Sequence, residues 1–246
     1  MRRWEYRAII TAFLLLLASL LVSAARMDNA VRSVSEQNKG QRIITPEDKV
    51  VALTFDDGPK AGKTEKLLDG LKERNVRVTF FMIGCQVQDN RDIVQRIFDE
   101  GHQIGIHTYD HVRLTELTEE EQKQQIRQTE GVIEGLIGDY DFLLRPPYGD
   151  RNETLLSWID MPVVVWSIDT EDWTGRSADL IVEQTVRDVE SGDIILMHDI
   201  FDNSIEAAFG IIDELQKMGY TFLTVEEMFE VRETPLENGE VYHHLW

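Results

Sequence analysis

Between Val50 and Val231 short apolar runs rich in β-branched residues alternate with longer amphipathic stretches, and this alternation constrains the fold more than any other feature. "VVALTF" (Val50–Phe55) ends at the turn signal Asp57-Gly58-Pro59 and is followed by "KTEKLLDGLKERN", which has helical spacing. "VRVTFFMIG" reads as a second buried strand, "RDIVQRIFDE" as a helix stopped at Gly101, and "QIGIH" as a short strand. Thr118 and Glu121 stand at capping-box spacing ahead of a long helix that runs to Gly138. The pairs "FLLR" and "ETLLSWI", "VVVWSID" and "SADLIVEQTVRDVE", "DIILMHD" and "IEAAFGIIDELQKM", and "YTFLTV" and "EEMFEV" continue the series. Strands that are apolar on both faces and alternate with helices call for a parallel sheet. About seven such units in roughly 185 residues predict an α/β fold, a distorted (β/α) barrel of about seven parallel strands. A phosphate-binding glycine loop after the first strand would favour an open doubly wound sheet, and none is present.

The flanks are of other kinds. "MRRWEYR" precedes eighteen uncharged residues, Ala8 to Ala25, so residues 1–25 read as an apolar helix that is either an export signal or a membrane anchor. Residues 26–48 are polar and aperiodic and read as a tether, 49–232 as the folded domain, and 233–246 as an aperiodic tail holding two bystanders, His243 and His244. The net charge of −20 excludes nucleic acid as a partner. Cys85 is the single cysteine, so the chain closes no internal disulfide; its place after "VTFFMIG" reads as that of a structural thiol.

Polar residues gather where the predicted strands end: Asp56 and Asp57, then His107 and His111, Arg145 to Gly149, Asp169 to Trp173, and His198. Each alone has a plain explanation, as turn former, helix-face pair, surface ion pair, cap or core histidine. In a barrel, however, the C-terminal strand ends meet at one mouth, and a single active site accounts for them all. Two imidazoles and one carboxylate would leave positions open on a divalent ion, the layout of a catalytic metal site, where a bound water becomes more acidic. A second carboxylate outside the ligand set could take the proton, and the Asp56-Asp57 doublet offers one of each. Arg145 could hold that base ionised, and His198, kept protonated by a neighbouring aspartate, could serve as general acid.

Five motifs in order, "TFDDGP", "HTYDH", "RPPYG", "DTEDW" and "LMHD", make the chain resemble polysaccharide deacetylases of the NodB-homology type, carbohydrate esterase family 4. The resemblance implies a metal-dependent hydrolase that removes N-acetyl groups from amino sugars of a wall polymer. It assigns Asp57, His107 and His111 to the metal, Asp56 to the base, and Arg145 to orienting that base. It gives the Tyr148 backbone N–H to the oxyanion, His198 to the departing amine, Asp169 to tuning His198, and Trp173 and Leu196 to the acetyl-methyl pocket. Asp172 is left a supporting role, and His102 a structural one. One divalent ion is expected, zinc ahead of cobalt, iron or manganese. The expected partner is an N-acetylated glycan, peptidoglycan N-acetylglucosamine first, with chitin oligosaccharides, N-acetylmuramic acid and acetylxylan open. The protein is expected to be exported, to touch the membrane through residues 1–25 if these stay uncleaved, and to work as a monomer.

Three rivals are weighed against this. An iron oxygenase would use the same ligand trio but would not need Asp56, Arg145 and His198 beside it. A non-catalytic glycan-binding relative would not need all five motifs. A small-amide amidase of the same fold would carry them too, and export toward the wall favours a polymer.

Overall fold

"VVALTF" becomes the central strand β1 (Val50–Asp56), every residue of which is buried. The computed structural model of the chain describes residues 44–245. The expected export signal or anchor over 1–25, and the tether up to residue 43, lie outside the described residues. The last tether residues already belong to the folded unit that begins at Thr45, whose N–H donates to the Asp48 carboxylate at 2.8 Å. No helix among the described residues is long and apolar enough to cross a membrane.

One edge of β1 pairs in parallel with β6 (Ile194–His198). Its other edge is shared: β2 (Thr79–Met82) takes the C-terminal half and β7 (Thr221–Leu223) the N-terminal half. β3 (Gln103–Ile106) pairs with β2, and β5 (Ile168–Asp169) with β6, again in parallel. Beyond β3, parallel bridges through Leu144 reach β4 (Val163–Val164), which pairs with β8 (Val241–Tyr242). Pairing therefore runs from β5 through β6, β1, β2 and β3 to β4, while three residues, Val165 to Ser167, join β4 to β5 along the chain. The ladder curls back on itself as the expected distorted barrel.

Three segments differ from the expectation. "FLLR" supplies one bridging residue, Leu144, and no strand. "VVVWSID" breaks into β4 and β5, because the carbonyls of Val164 and Val165 accept hydrogen bonds from the guanidinium of Arg145. The tail is part of the sheet: β8 covers the edge of β4, and Leu245 is buried, its N–H donating to Gly192 O at 2.8 Å. A two-residue strand is too short to show periodicity.

The covering helices are α1 (Thr64–Glu73), α2 (Gly84–Val87), α3 (Arg91–Asp99), α4 (Glu119–Ile137), α5 (Glu153–Trp158), α6 (Ala178–Asp188), α7 (Asp202–Lys217) and α8 (Val225–Val231). Leu67, Leu68 and Leu71 of α1 and Ile205, Ala208, Ile211, Ile212 and Leu215 of α7 follow helical spacing. They share one core with Val51, Leu53 and Phe55 of β1, and each large aliphatic buried there contributes about 1.5–3 kcal/mol. α4 opens on the expected capping box: Thr118 Oγ1 accepts from Glu121 N–H, and Glu121 accepts from Thr118 N–H at 2.9 Å. His102 is structural, its Nδ1 accepting from Val78 N–H at 3.1 Å. Cys85 is exposed on α2, not packed inside. Partial burial and the nearby Asp110 raise its thiol pKa, which keeps it protonated.

Candidate active site

Side chains alternate along β1, so that Leu53 and Phe55 join the helix-covered core while Thr54 and Asp56 share the opposite, inner face. Parallel register then sets Asp56 beside Phe81 of β2 and His198 of β6. His107 continues β3, its N–H donating to Met82 O at 2.9 Å, and Arg145 N–H donates to Ile106 O at 2.9 Å. The strand ends thus bring Asp56, Asp57, His107, Arg145 and His198 together.

Arg145 is wholly buried and organises the floor. Its Nη1 donates to Thr54 Oγ1 at 2.7 Å and to Asp56 Oδ1 at 2.8 Å; Nε and Nη2 donate to Val164 O and Val165 O. The guanidinium carbon lies 4.0 Å from the Phe81 ring centre. A buried cation persists only when its donors are used, and here they are. Burial pushes the Asp56 carboxyl up, while Arg145 and then His198 pull it down. Such opposition is how a carboxylate is tuned for proton transfer.

Around the metal candidates the chain takes unusual turns. Asp57 has φ 76°, Thr108 65° and His111 56°, left-handed values that bulky residues adopt only where the surroundings enforce them. One ligand atom from each of Asp57, His107 and His111 lies within 4.8 Å of the others. His107 Nδ1 is 2.6 Å from Arg145 O, and since a carbonyl can only accept, Nδ1 carries the hydrogen and Nε2 is the free lone pair. Burial lowers His107 to about pKa 3, against the pull of Asp57, so the ring is neutral. That lone pair is 3.7 Å from Asp57 Oδ1, and His111 Nε2 is 3.3 Å from the same oxygen. Asp57 Oδ1 is buried without a hydrogen-bond partner among the described residues. An orphaned carboxylate oxygen facing two imidazoles fits a divalent cation.

On the opposite wall, burial is the largest single influence on His198 and draws it down, but the 2.7 Å hydrogen bond from Nδ1 to Asp172 Oδ1 and the charges of Asp172, Asp56 and Asp57 together raise it to about pKa 9. The second oxygen of Asp172 accepts from His198 N–H at 2.8 Å. Asp172 therefore holds the place expected of Asp169. Asp169 instead accepts from Glu171 N–H at 2.9 Å and lines the cleft. The exchange arises at Glu171, whose left-handed φ of 50° folds the chain back so that the later aspartate reaches His198. A cavity of about 390 Å³ lies between these walls, lined also by Tyr148, Trp166, Trp173, Leu196 and Phe201. Tyr148, with φ 63°, sets its ring edge-on to His111 at 5.0 Å. Trp173 is 58 % exposed at the rim.

The family model for polysaccharide deacetylases matches residues 44–160. A peptidoglycan-N-acetylglucosamine deacetylase of Bacillus cereus is 41 % identical over 187 residues, which cover 73 % of this chain and 68 % of that protein. This chain belongs to the polysaccharide deacetylase family. Peptidoglycan-N-acetylglucosamine deacetylase PgdA of Listeria monocytogenes is 38 % identical over 210 residues, 83 % of this chain. The chain spans about half the length of that relative, 45 % of it. The structure of a family 4 acetyl xylan esterase from Clostridium thermocellum, in complex with a cobalt ion, superimposes with a TM-score of 0.76 at 30 % identity, covering 80 % of this chain and 99 % of that one.

Among the residues of this deacetylase-family cleft, sequence reasoning missed three. Thr54 anchors Arg145, and Trp166 and Phe201 line the wall. Thr54 could have been found by alternation, two residues before Asp56 on the same face. Trp166 and Phe201 sit in breaks between elements, where no periodicity marks a direction.

Proposed function

We propose that the chain is a metal-dependent hydrolase that removes N-acetyl groups from amino sugars of a cell-wall polysaccharide, with peptidoglycan N-acetylglucosamine as the substrate. The observation that carries this reading is the orphaned Asp57 oxygen facing His107 and His111, with Asp56 and His198 in register beside it. Asp57, His107 and His111 would hold one divalent cation, zinc first, which supplies a Lewis acid and makes water a nucleophile at neutral pH.

The chain's own groups do the rest. Asp56, held by the Arg145 guanidinium and raised by burial above the usual carboxylate range, takes a proton from the attacking water. The Tyr148 backbone N–H, fixed by the left-handed turn, donates to the developing oxyanion. As the C–N bond breaks, His198, charged through Asp172, gives its proton to the departing amine, leaving acetate and a free amino sugar. Leu196, with Trp173, receives the acetyl methyl, and Asp169 lines the wall close by. The chain acts outside the cell, carried there by residues 1–25, as signal or as anchor. The relatives in Bacillus cereus and Listeria, both named for peptidoglycan N-acetylglucosamine, support the choice of sugar.

Acetate release should be measured on peptidoglycan, chitooligosaccharide and acetylxylan, with chelated and metal-reloaded protein. The chelated protein should release none, and the reloaded protein most from peptidoglycan. No release from any of the three after reloading would overturn the proposal.

A further inference from the structure

The cleft has a second lobe. A cavity of about 280 Å³ adjoins it through two shared wall residues, Asp57 and His111, and is otherwise lined by Lys60, Ile83, Gln86 and Ile200. The two lobes differ in chemistry. The first is walled by aromatic and apolar groups, Tyr148, Trp166, Trp173, Leu196 and Phe201. The second presents an ammonium and an amide beside two isoleucines. Stacking surfaces suit the face of a sugar ring, whereas an ammonium suits an anion.

Lys60 closes no ion pair among the described residues, although its charge still helps to lower the Asp202 carboxyl from a distance. Lys63, one turn on, is 2.5 Å from Asp202, and Lys66 lies 3.9 Å from both Asp202 and Glu206. Lys60 Nζ instead donates to the carbonyl of Ile200 at 3.5 Å. That contact steers the ammonium toward the lobe and leaves two of its three hydrogens free. In a chain of net charge −20, a lysine held at the edge of the reaction centre stands against the general field.

We propose that Lys60 reads a carboxylate carried on the sugar adjacent to the one deacetylated, so that the second lobe selects glycans whose neighbouring unit is anionic. This rests on the peptidoglycan reading above, in which N-acetylglucosamine alternates with a lactyl-bearing sugar. The carboxylate is that of the lactyl group itself or, where the lactyl is amidated, of the attached peptide. The interaction is exposed and remote from the bond broken, so it acts through binding and not through the chemical step.

Full-chain, metal-loaded protein and its Lys60→Gln and Lys60→Arg variants should be compared on three tetrasaccharides. These are neutral chitotetraose, a peptide-free peptidoglycan tetrasaccharide with free lactyl groups, and its peptide-bearing counterpart. Lys60→Gln should raise KM about threefold to tenfold on the anionic glycans, with kcat and the chitotetraose constants unchanged. Lys60→Arg should restore KM, and the wild-type advantage should fade as salt screens the pair. Whichever anionic glycan responds more identifies the carboxylate. An equal KM change on neutral and anionic glycans, or none on either, overturns the proposal and leaves the deacetylase reading intact. A wild type that releases acetate from chitotetraose alone also overturns it, and release from none of the three removes the function on which it rests.

Discussion

His107 and His198 line the same cleft, are both largely shielded from water, and are driven to opposite charge states. His107 falls to about pKa 3 and His198 rises to about 9. Burial pulls both down, so burial is not what separates them. The difference lies in what each Nδ1 meets: a backbone carbonyl for His107, the Asp172 carboxylate for His198. A carbonyl orients an imidazole without charging it and leaves a neutral ligand. A carboxylate makes the charged form the stable one and leaves an acid. One residue type thus takes two charge states in one cleft because its neighbours differ.

Removing the proposed base should have the largest effect. Asp56→Asn is expected to lower kcat by about 10²- to 10⁴-fold while His107 and His198 keep their opposite states. Asp172→Asn attacks the comparison itself. His198 should lose its proton near or below neutrality, so the alkaline limb of the kcat profile, near pH 9 in the wild type, should move down, with about a 10- to 100-fold loss at pH 8. Asp169→Asn should leave that limb in place, which distinguishes the two aspartates. Arg145→Met would leave Asp56 buried without its cation, and urea titration should register a loss of about 3–5 kcal/mol. Stability against pH separates the histidines in metal-free protein. Unfolded His107 binds a proton that the folded state refuses, so its contribution falls as pH drops from about 6.5 to about 3. Folded His198 holds a proton that the unfolded chain releases, so its contribution is whole below about 6.5 and lost as pH rises through about 9. Away from the cleft, Thr118→Ala should cost about 1 kcal/mol, through the cap alone, with kcat unchanged.

The same contrast explains what the residues disclosed in advance. The barrel was legible because buried parallel strands carry their apolar runs openly, as in "VVALTF" and "DIILMHD", and because a parallel strand aims its polar end at one mouth. Asp56, Asp57, His107 and His198, which line one cleft, were singled out on that logic. Asp172 was not preferred over Asp169, since the choice depends on one left-handed residue, Glu171, for which the motif carries no marker. The break at Val165 to Ser167 was hidden because tertiary hydrogen bonds from Arg145 to the carbonyls of Val164 and Val165 decide it, not local propensity. Residues 233–246 looked aperiodic since β8 is only two residues long and gains its stability from β4.

Cobalt(II) titration of the chelated chain, followed by absorption, bears most directly on whether Asp57, His107 and His111 act as one ligand set. Wild-type protein should take up one equivalent with visible bands, and Asp57→Ala and His107→Ala should each bind at least about 100-fold more weakly while still folded. Equal uptake by wild type and both variants, or none by folded wild type, would contradict the account.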